Sequence, residues 1–143
     1  MSSKRIISIL LPVRIEGDHI SVFMQKRSAD MERLPNYFGF WGGGCEGDET
    51  PEQGLIREIQ EELGKTLDVT QFEPFNRYEF LRSIKHTYLF RPDPAWETTI
   101  IIGEGDYGMW MTVEDALQRK DIILEDKVVL QDLERVLLQK SIR

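Results

Sequence analysis

Apolar and polar positions recur with two different periods along this chain, and the changes of period mark its elements. RIISILLPVRI from Arg5 and HISVFMQKRS from His19 are β-branched and apolar, and EGDH between them supplies turn residues, so a pair of strands is predicted. From Ala29 to Tyr37 the chain turns polar around Pro35 and reads as a loop. FGFWGGG, from Phe38 to Gly44, then gives aromatics followed by three glycines, a composition suited to backbone running close against something else.

A helical period begins at Thr50. Thr50 suits the N-cap, Pro51 the first helical position and Gln53 the third, which is a capping-box pattern, and Gly64 is placed to stop the helix. Leu55, Ile56, Ile59 and Leu63 fall on one side at about 100° per residue, a core-facing stripe. Glu58, Glu61 and Glu62 fall on an adjoining side at i, i+3 and i, i+4 spacings. Beyond the helix, RYEFLRS, KHTYLFRP and ETTIIIGEG read as strands and YGMWMT as a short one. VEDALQRK predicts a short helix after Thr112, and LEDKVVLQDLERVLLQKSI a terminal amphipathic helix with Val129, Leu133, Val136 and Leu137 inward. With no internal repeat, one helix inside the strand order and another at the end, the pattern predicts an α+β fold whose mixed sheet carries helices.

Composition narrows the classes. At 143 residues, one domain spanning 1–143 is expected, with 41% apolar and 30% charged residues as in an ordinary globular protein. The net charge of −7 argues against long DNA or RNA as a partner, because tracking phosphates needs clustered Lys and Arg. Cys45 is the single cysteine, so no internal disulfide can form and a reducing, cytoplasmic compartment is expected. As a nucleophile Cys45 has poor support from His19 and His86, the two histidines, and it reads as a small loop filler. The apolar N-terminal run is interrupted by Pro12, Arg14 and Glu16 with no small-residue cleavage pattern, and no segment approaches the ~20 apolar residues of a membrane span. No leftover apolar stripe points to a dimer.

Three glutamates on one helix face would by themselves read as a solvated acidic surface. Here they follow a glycine-rich loop directly. Like charges roughly 5–6 Å apart repel unless a cation lies among them, and hard carboxylate oxygens suit Mg²⁺ or Mn²⁺. A divalent cation facing a glycine-rich turn is an arrangement suited to phosphate chemistry, since the metal neutralises charge and backbone N–H groups can approach phosphate oxygens. A P-loop is excluded: there is no G-x-x-x-x-G-K-[ST], and Gly64-Lys65 ends a helix instead of opening one.

These residues resemble the Nudix hydrolases, whose signature runs G-x5-E-x7-R-E-U-x-E-E-x-G-U with U apolar. Gly43, Glu49, Arg57-Glu58-Ile59 and Glu61-Glu62-Leu63-Gly64 fit its fixed letters at the required spacings, and Lys65 departs from the final apolar position. The resemblance implies a sandwich-like α/β/α arrangement in which the signature loop and helix, a mixed sheet and a C-terminal helix form one unit. It implies that Glu58, Glu61 and Glu62 bind Mg²⁺, with Mn²⁺ as an alternative, and that a backbone carbonyl of Gly42 or Gly43 is a further ligand. It also implies that Glu49 and Arg57 hold the loop to the helix, a geometry that a guanidinium fork suits.

Looser similarity reaches the flanks. QKRSAD resembles a segment that would set Arg27 against a substrate phosphate, and GEGDYGMWM one that would make Glu104 a late metal ligand or general base. Trp41 stands where many relatives have proline and would reshape the pocket wall. Glu125 and Asp126 stand where relatives acting on oxidised guanine nucleotides carry an asparagine, which argues against that preference.

The implied reaction is Mg²⁺-dependent hydrolysis of a nucleoside diphosphate linked to a group X, with an NTP or modified NTP favoured, giving NMP and phosphorylated X. Glu58 or Glu104 would take the proton of the attacking water. Nucleotide sugars, ADP-ribose and dinucleoside polyphosphates are alternative substrates. A non-catalytic nucleotide-sensing module is an alternative of another class, and the complete set of signature acids argues against it. In a purely structural protein the acids would be only a soluble face, indifferent to Mg²⁺. Phe40, Tyr78, Phe80, Tyr88, Phe90 and Tyr107 are able to stack a base, although alternating strand aromatics are ordinarily core. His86, alone on a strand, reads as structural.

Overall fold

The structure is a computed structural model and describes residues 3–142. Its elements in chain order are β1 (Arg5–Glu16), β2 (His19–Lys26), β3 (Phe38–Gly39), β4 (Trp41–Gly44), α1 (Pro51–Leu63), β5 (Phe72–Glu79), β6 (Ser83–Phe90), a 3-10 turn (Trp96–Thr99), β7 (Tyr107–Thr112), α2 (Val113–Gln118) and α3 (Leu124–Ile142). The chain divides into two compact units. One runs to Pro12 and resumes over Trp41–Glu104; the other comprises Val13–Phe40 and the residues from Gly105 onward.

In the first unit β1 pairs antiparallel with β4 and parallel with β6, and β6 pairs antiparallel with β5. Parallel and antiparallel neighbours on one strand make the sheet mixed, as the α+β pattern requires. Ile9, Leu10 and Leu11 of β1, Trp41 of β4, and Leu55, Ile59 and Leu63 of α1 are buried. The apolar stripe of α1 thus turns inward, although Ile56 at its margin is only half-buried.

In the second unit β2 pairs antiparallel with the end of β1, with β3 and with β7. Val129, Leu130, Leu133 and Leu137 bury one side of α3, and Val136 is half-buried. Among the described residues no helix is long and apolar enough to cross a membrane.

Two predicted strands need correction. RYEFLRS straddles a hairpin: β5 ends at Glu79, the chain turns, and Phe80 N–H donates to Ser83 O at 2.8 Å as β6 begins. ETTIIIGEG is not a strand, despite its β-branched run. It starts in the 3-10 turn, and its later N–H groups serve the end of α1: Ile101 N–H donates to Leu63 O at 3.0 Å and Gly103 N–H to Glu62 O at 2.8 Å. Carbonyls in the last turn of a helix have no intrahelical partner, so this segment satisfies the helix in place of a neighbouring strand.

The start of α1 follows the sequence closely. Thr50 Oγ1 accepts from Gln53 N–H at 3.2 Å, Gln53 Oε1 accepts from Thr50 N–H at 3.0 Å, and Gly64 caps the far end with a left-handed φ of 64°. Replacing Thr50 with Ala should cost about 1 kcal/mol, a fall in Tm of roughly 2–4 °C by calorimetry. An unchanged Tm would show that the ties of α1 to the sheet carry its N-terminus unaided.

Candidate active site

Two side chains of the sheet fix the first turn of α1. Ser8 Oγ donates to Pro51 O at 2.6 Å, and the Tyr88 hydroxyl donates to Glu52 Oε1 at 2.9 Å. Burial and the Glu52 carboxylate together push the Tyr88 phenol far above its usual range, so it remains a donor. Farther along the helix, Gly42 N–H donates to Glu62 Oε1 at 2.8 Å.

That last bond requires a glycine loop. Gly42 has φ +139°, which L-residues rarely adopt, and a Cβ there would lie 2.0 Å from Ser8 O. A Cβ on Gly43 would lie 2.7–2.8 Å from the carboxyl carbon and both oxygens of Glu58. Bare backbone therefore admits two glutamates of α1 side by side.

Their arrangement differs from the simple helical triplet. Carboxylate oxygens of Glu58, Glu62 and Glu104 lie within 4.8 Å of one another. Glu62 is buried, Glu58 half-buried and Glu104 exposed. Glu61 lies on the exposed side, where Arg57 Nη1 donates to its Oε1 at 3.3 Å.

Arg57 links the loop to the helix. Its Nε and Nη2 donate to Glu49 Oε2 and Oε1 at 2.8 and 3.1 Å, Nη2 also to Gly44 O at 2.9 Å, and Nη1 to Glu58 Oε1 at 3.0 Å. Glu49 Oε1 in turn accepts from Glu46 N–H at 2.8 Å. The Arg57 hydrogen bond, followed by the Glu46 N–H, holds Glu49 below the usual carboxylate range. Glu58 is shifted the other way: burial pushes it up against the opposing pull of Arg57, and the charges of Glu61 and Glu104 add to the rise.

This donor set fits a hard divalent cation. All three converging groups offer carboxylate oxygen, and a cation among them would offset the burial and mutual repulsion that disfavour ionised Glu58.

A model of the NUDIX domain matches residues 4–133. The chain belongs to the NUDIX hydrolase family. It is 32% identical over 123 residues to an 8-oxo-dGTP diphosphatase of Escherichia coli K12, covering 85% of this chain and 92% of that one. It is also 32% identical over 97 residues to a CTP pyrophosphohydrolase of the same organism, covering 68% and 70%. Among solved structures, a mutT/nudix family protein from Listeria innocua superposes with a TM-score of 0.74 at 17% identity over 99% of both chains, a likeness of fold.

Other residues singled out from the sequence take varied places in this NUDIX chain. Trp41 is 0% exposed and packs in the core of the first unit instead of offering a pocket wall. Arg27, in the second unit, donates through Nε to the carbonyls of Arg33 and Leu34 at 3.1 and 3.2 Å and through Nη2 to Arg33 O at 2.8 Å, closing its own loop. Asp126 is buried and accepts from Phe40 N–H at 3.1 Å. Lys65, the departure from the signature, has Nζ 5.9 Å from the centroid of Trp96, so its cation takes an aromatic surface where the pattern expects an apolar residue. Phe40, Tyr88 and Phe90 are buried, whereas Tyr107 is exposed. His86 lies opposite Arg77, and burial first, then that charge, lowers its imidazole.

Sequence reasoning passed over Ser8 and read Tyr88 only as a core aromatic able to stack a base. Their contacts to α1 span 43 and 36 residues, and no local pattern announces them.

The opposite shifts of Glu49 and Glu58 make opposite predictions. Because the folded pKa of Glu49 is depressed, its stabilising contribution is present above its ordinary value near 4.5 and is lost as pH falls through the folded value. Glu49→Gln should therefore lower Tm at pH 7, and the gap from wild type should close toward pH 3. For Glu58, whose raised pKa means the ionised form is disfavoured on folding, Glu58→Gln in EDTA should melt at or above wild type at pH 7. Thermal melts from pH 3 to 8 read both; parallel curves for Glu49→Gln would contradict the first and a marked loss for Glu58→Gln the second.

Proposed function

We propose that this chain hydrolyses nucleoside triphosphates, or modified ones, to the nucleoside monophosphate and pyrophosphate with Mg²⁺ as cofactor. The observation that carries this reading is the convergence of Glu58, Glu62 and Glu104 within 4.8 Å beside the glycine loop. Relatives named 8-oxo-dGTP diphosphatase and CTP pyrophosphohydrolase support the substrate class.

Glu58, Glu62 and Glu104 would hold the cation, with Glu61 adjoining on the exposed side. Bound there, a divalent ion supplies charge neutralisation for the polyphosphate and lowers the pKa of the attacking water. Arg57 and Glu49 keep the loop and helix in register, so the carboxylates need not reorganise when substrate arrives. The hydrogen bond from Gly42 fixes one oxygen of Glu62. Glu58 and Glu104 are the two carboxylates assigned to accept the proton of water. Water adds to one of the two phosphorus atoms that flank the α–β bridging oxygen, the bond from that phosphorus to the bridging oxygen breaks, and the other fragment departs with the bonding pair, which gives the nucleoside monophosphate and pyrophosphate.

The test is a panel of NTPs, 8-oxo-dGTP, ADP-ribose, nucleotide sugars and dinucleoside polyphosphates with Mg²⁺ or Mn²⁺, with products resolved. NMP and pyrophosphate are expected from an NTP. Glu62→Gln keeps an acceptor for Gly42 N–H yet should lose roughly 100-fold or more in kcat, and Glu61→Gln, whose carboxylate faces Arg57, should lose less. Nucleotide binding without turnover on every substrate would replace the hydrolase reading with a sensing module.

Metal binding is separately measurable. Mg²⁺ at 100 times its Kd should stabilise the native state by about 2.7 kcal/mol, raising Tm in wild type and much less in Glu62→Gln. An unchanged Tm across a Mg²⁺ and Mn²⁺ titration would remove the cation from the proposal.

A further inference from the structure

Glu104 does not belong to α1, yet its carboxylate reaches two glutamates of that helix. The segment before it is tied to the helix end by two backbone bonds, Ile101 N–H to Leu63 O at 3.0 Å and Gly103 N–H to Glu62 O at 2.8 Å. The second bond receives its acceptor from Glu62, whose side chain belongs to the same carboxylate cluster. Backbone of one cluster residue therefore holds the neighbour of another.

The approach is closer than any side chain permits. A Cβ on Gly103 would lie 2.0 Å from the Glu61 carbonyl oxygen and 3.2 Å from its carbon. Gly103 is not among the residues with positive φ, so glycine is required there by contact and not by a left-handed backbone. The obstacle is helix backbone, which cannot swing aside as a long side chain can. Any larger residue must push the segment off the helix, and Glu104 is attached to the next peptide.

We infer that Gly103 is a positioning residue for the cation site: by letting the segment lie against the Glu61 carbonyl, it brings the Glu104 carboxylate to Glu58 and Glu62. This rests on the reading that Glu104 holds the cation. A glycine that merely completed the helix end would affect stability and leave metal affinity alone. A glycine acting through Glu104 must affect metal affinity only while Glu104 is a carboxylate.

Mn²⁺ titration of the full chain, with free Mn²⁺ followed by electron paramagnetic resonance, distinguishes these roles. Glu104→Gln should weaken Mn²⁺ binding about 10-fold or more, and Gly103→Ala by a similar factor with the circular dichroism of the fold retained. The double variant should bind no more weakly than Glu104→Gln alone. Ile101→Pro, at a side chain 73% exposed, deletes the other tie without adding bulk at Gly103 and should behave likewise, which covers the case in which Gly103→Ala does not fold. Wild-type Mn²⁺ affinity in the folded single variants, or full multiplication of the two losses in the double variant, would overturn the inference while leaving the cation site intact. Unchanged affinity in Glu104→Gln would overturn the ligand role of Glu104, and this inference with it.

Discussion

Arg57 is one cation set among Glu46, Glu49, Glu58 and Glu61, and the geometry of the first unit depends on how its charge is shared. Its fork gives its shortest bond to Glu49 and reaches the carbonyl of Gly44, so the loop is fastened by both charge and backbone. Only one nitrogen is left for the glutamates on the helix. Glu49 is thereby kept ionised, whereas Glu58 remains under-compensated in a partly buried position. A protein selected for rigidity alone would have no reason to leave that imbalance. A protein that binds a cation gains from it, because the deficit becomes part of the affinity.

Glycines let this electrostatic arrangement exist at all. Gly42 lends a backbone donor to Glu62, and Gly43 makes room for Glu58. The register of β4 against β1, with Gly42 opposite Ile9 and Gly43 opposite Ser8, sets where those gaps fall along α1. Strand pairing thus determines which helix carboxylates can come inward.

Much of this was legible from local pattern. The capping box, the Gly64 stop and the β1–β2 pair each depend on residues near one another in the chain, whereas the pairing of Glu49 with Arg57 is implied by the family resemblance. Helical spacing also grouped Glu58, Glu61 and Glu62, but spacing alone does not tell which of them a neighbouring strand will turn inward. Glu62 follows Gly42, and Glu61 follows Arg57 outward. Ile100 to Ile102 looked like strand because β-branched residues favour extended backbone. Their hydrogen-bonding partner is instead a helix terminus, which side-chain pattern does not encode. Trp41 was read from its position in a motif, where burial depends on what packs over it.

The two ends of α1 are held by different kinds of bond. Near its start the ties come from the hydroxyls of Ser8 and Tyr88, so the identity of those side chains matters there. At its end, main-chain N–H groups of Ile101 and Gly103 supply the ties, and the Ile101 side chain points into solvent. A segment fastened by its backbone can exchange its outward-facing letters without moving. The exposed position at Ile101 is therefore open to evolutionary revision, able to acquire new contacts while Gly103 and the carboxylate cluster keep their places.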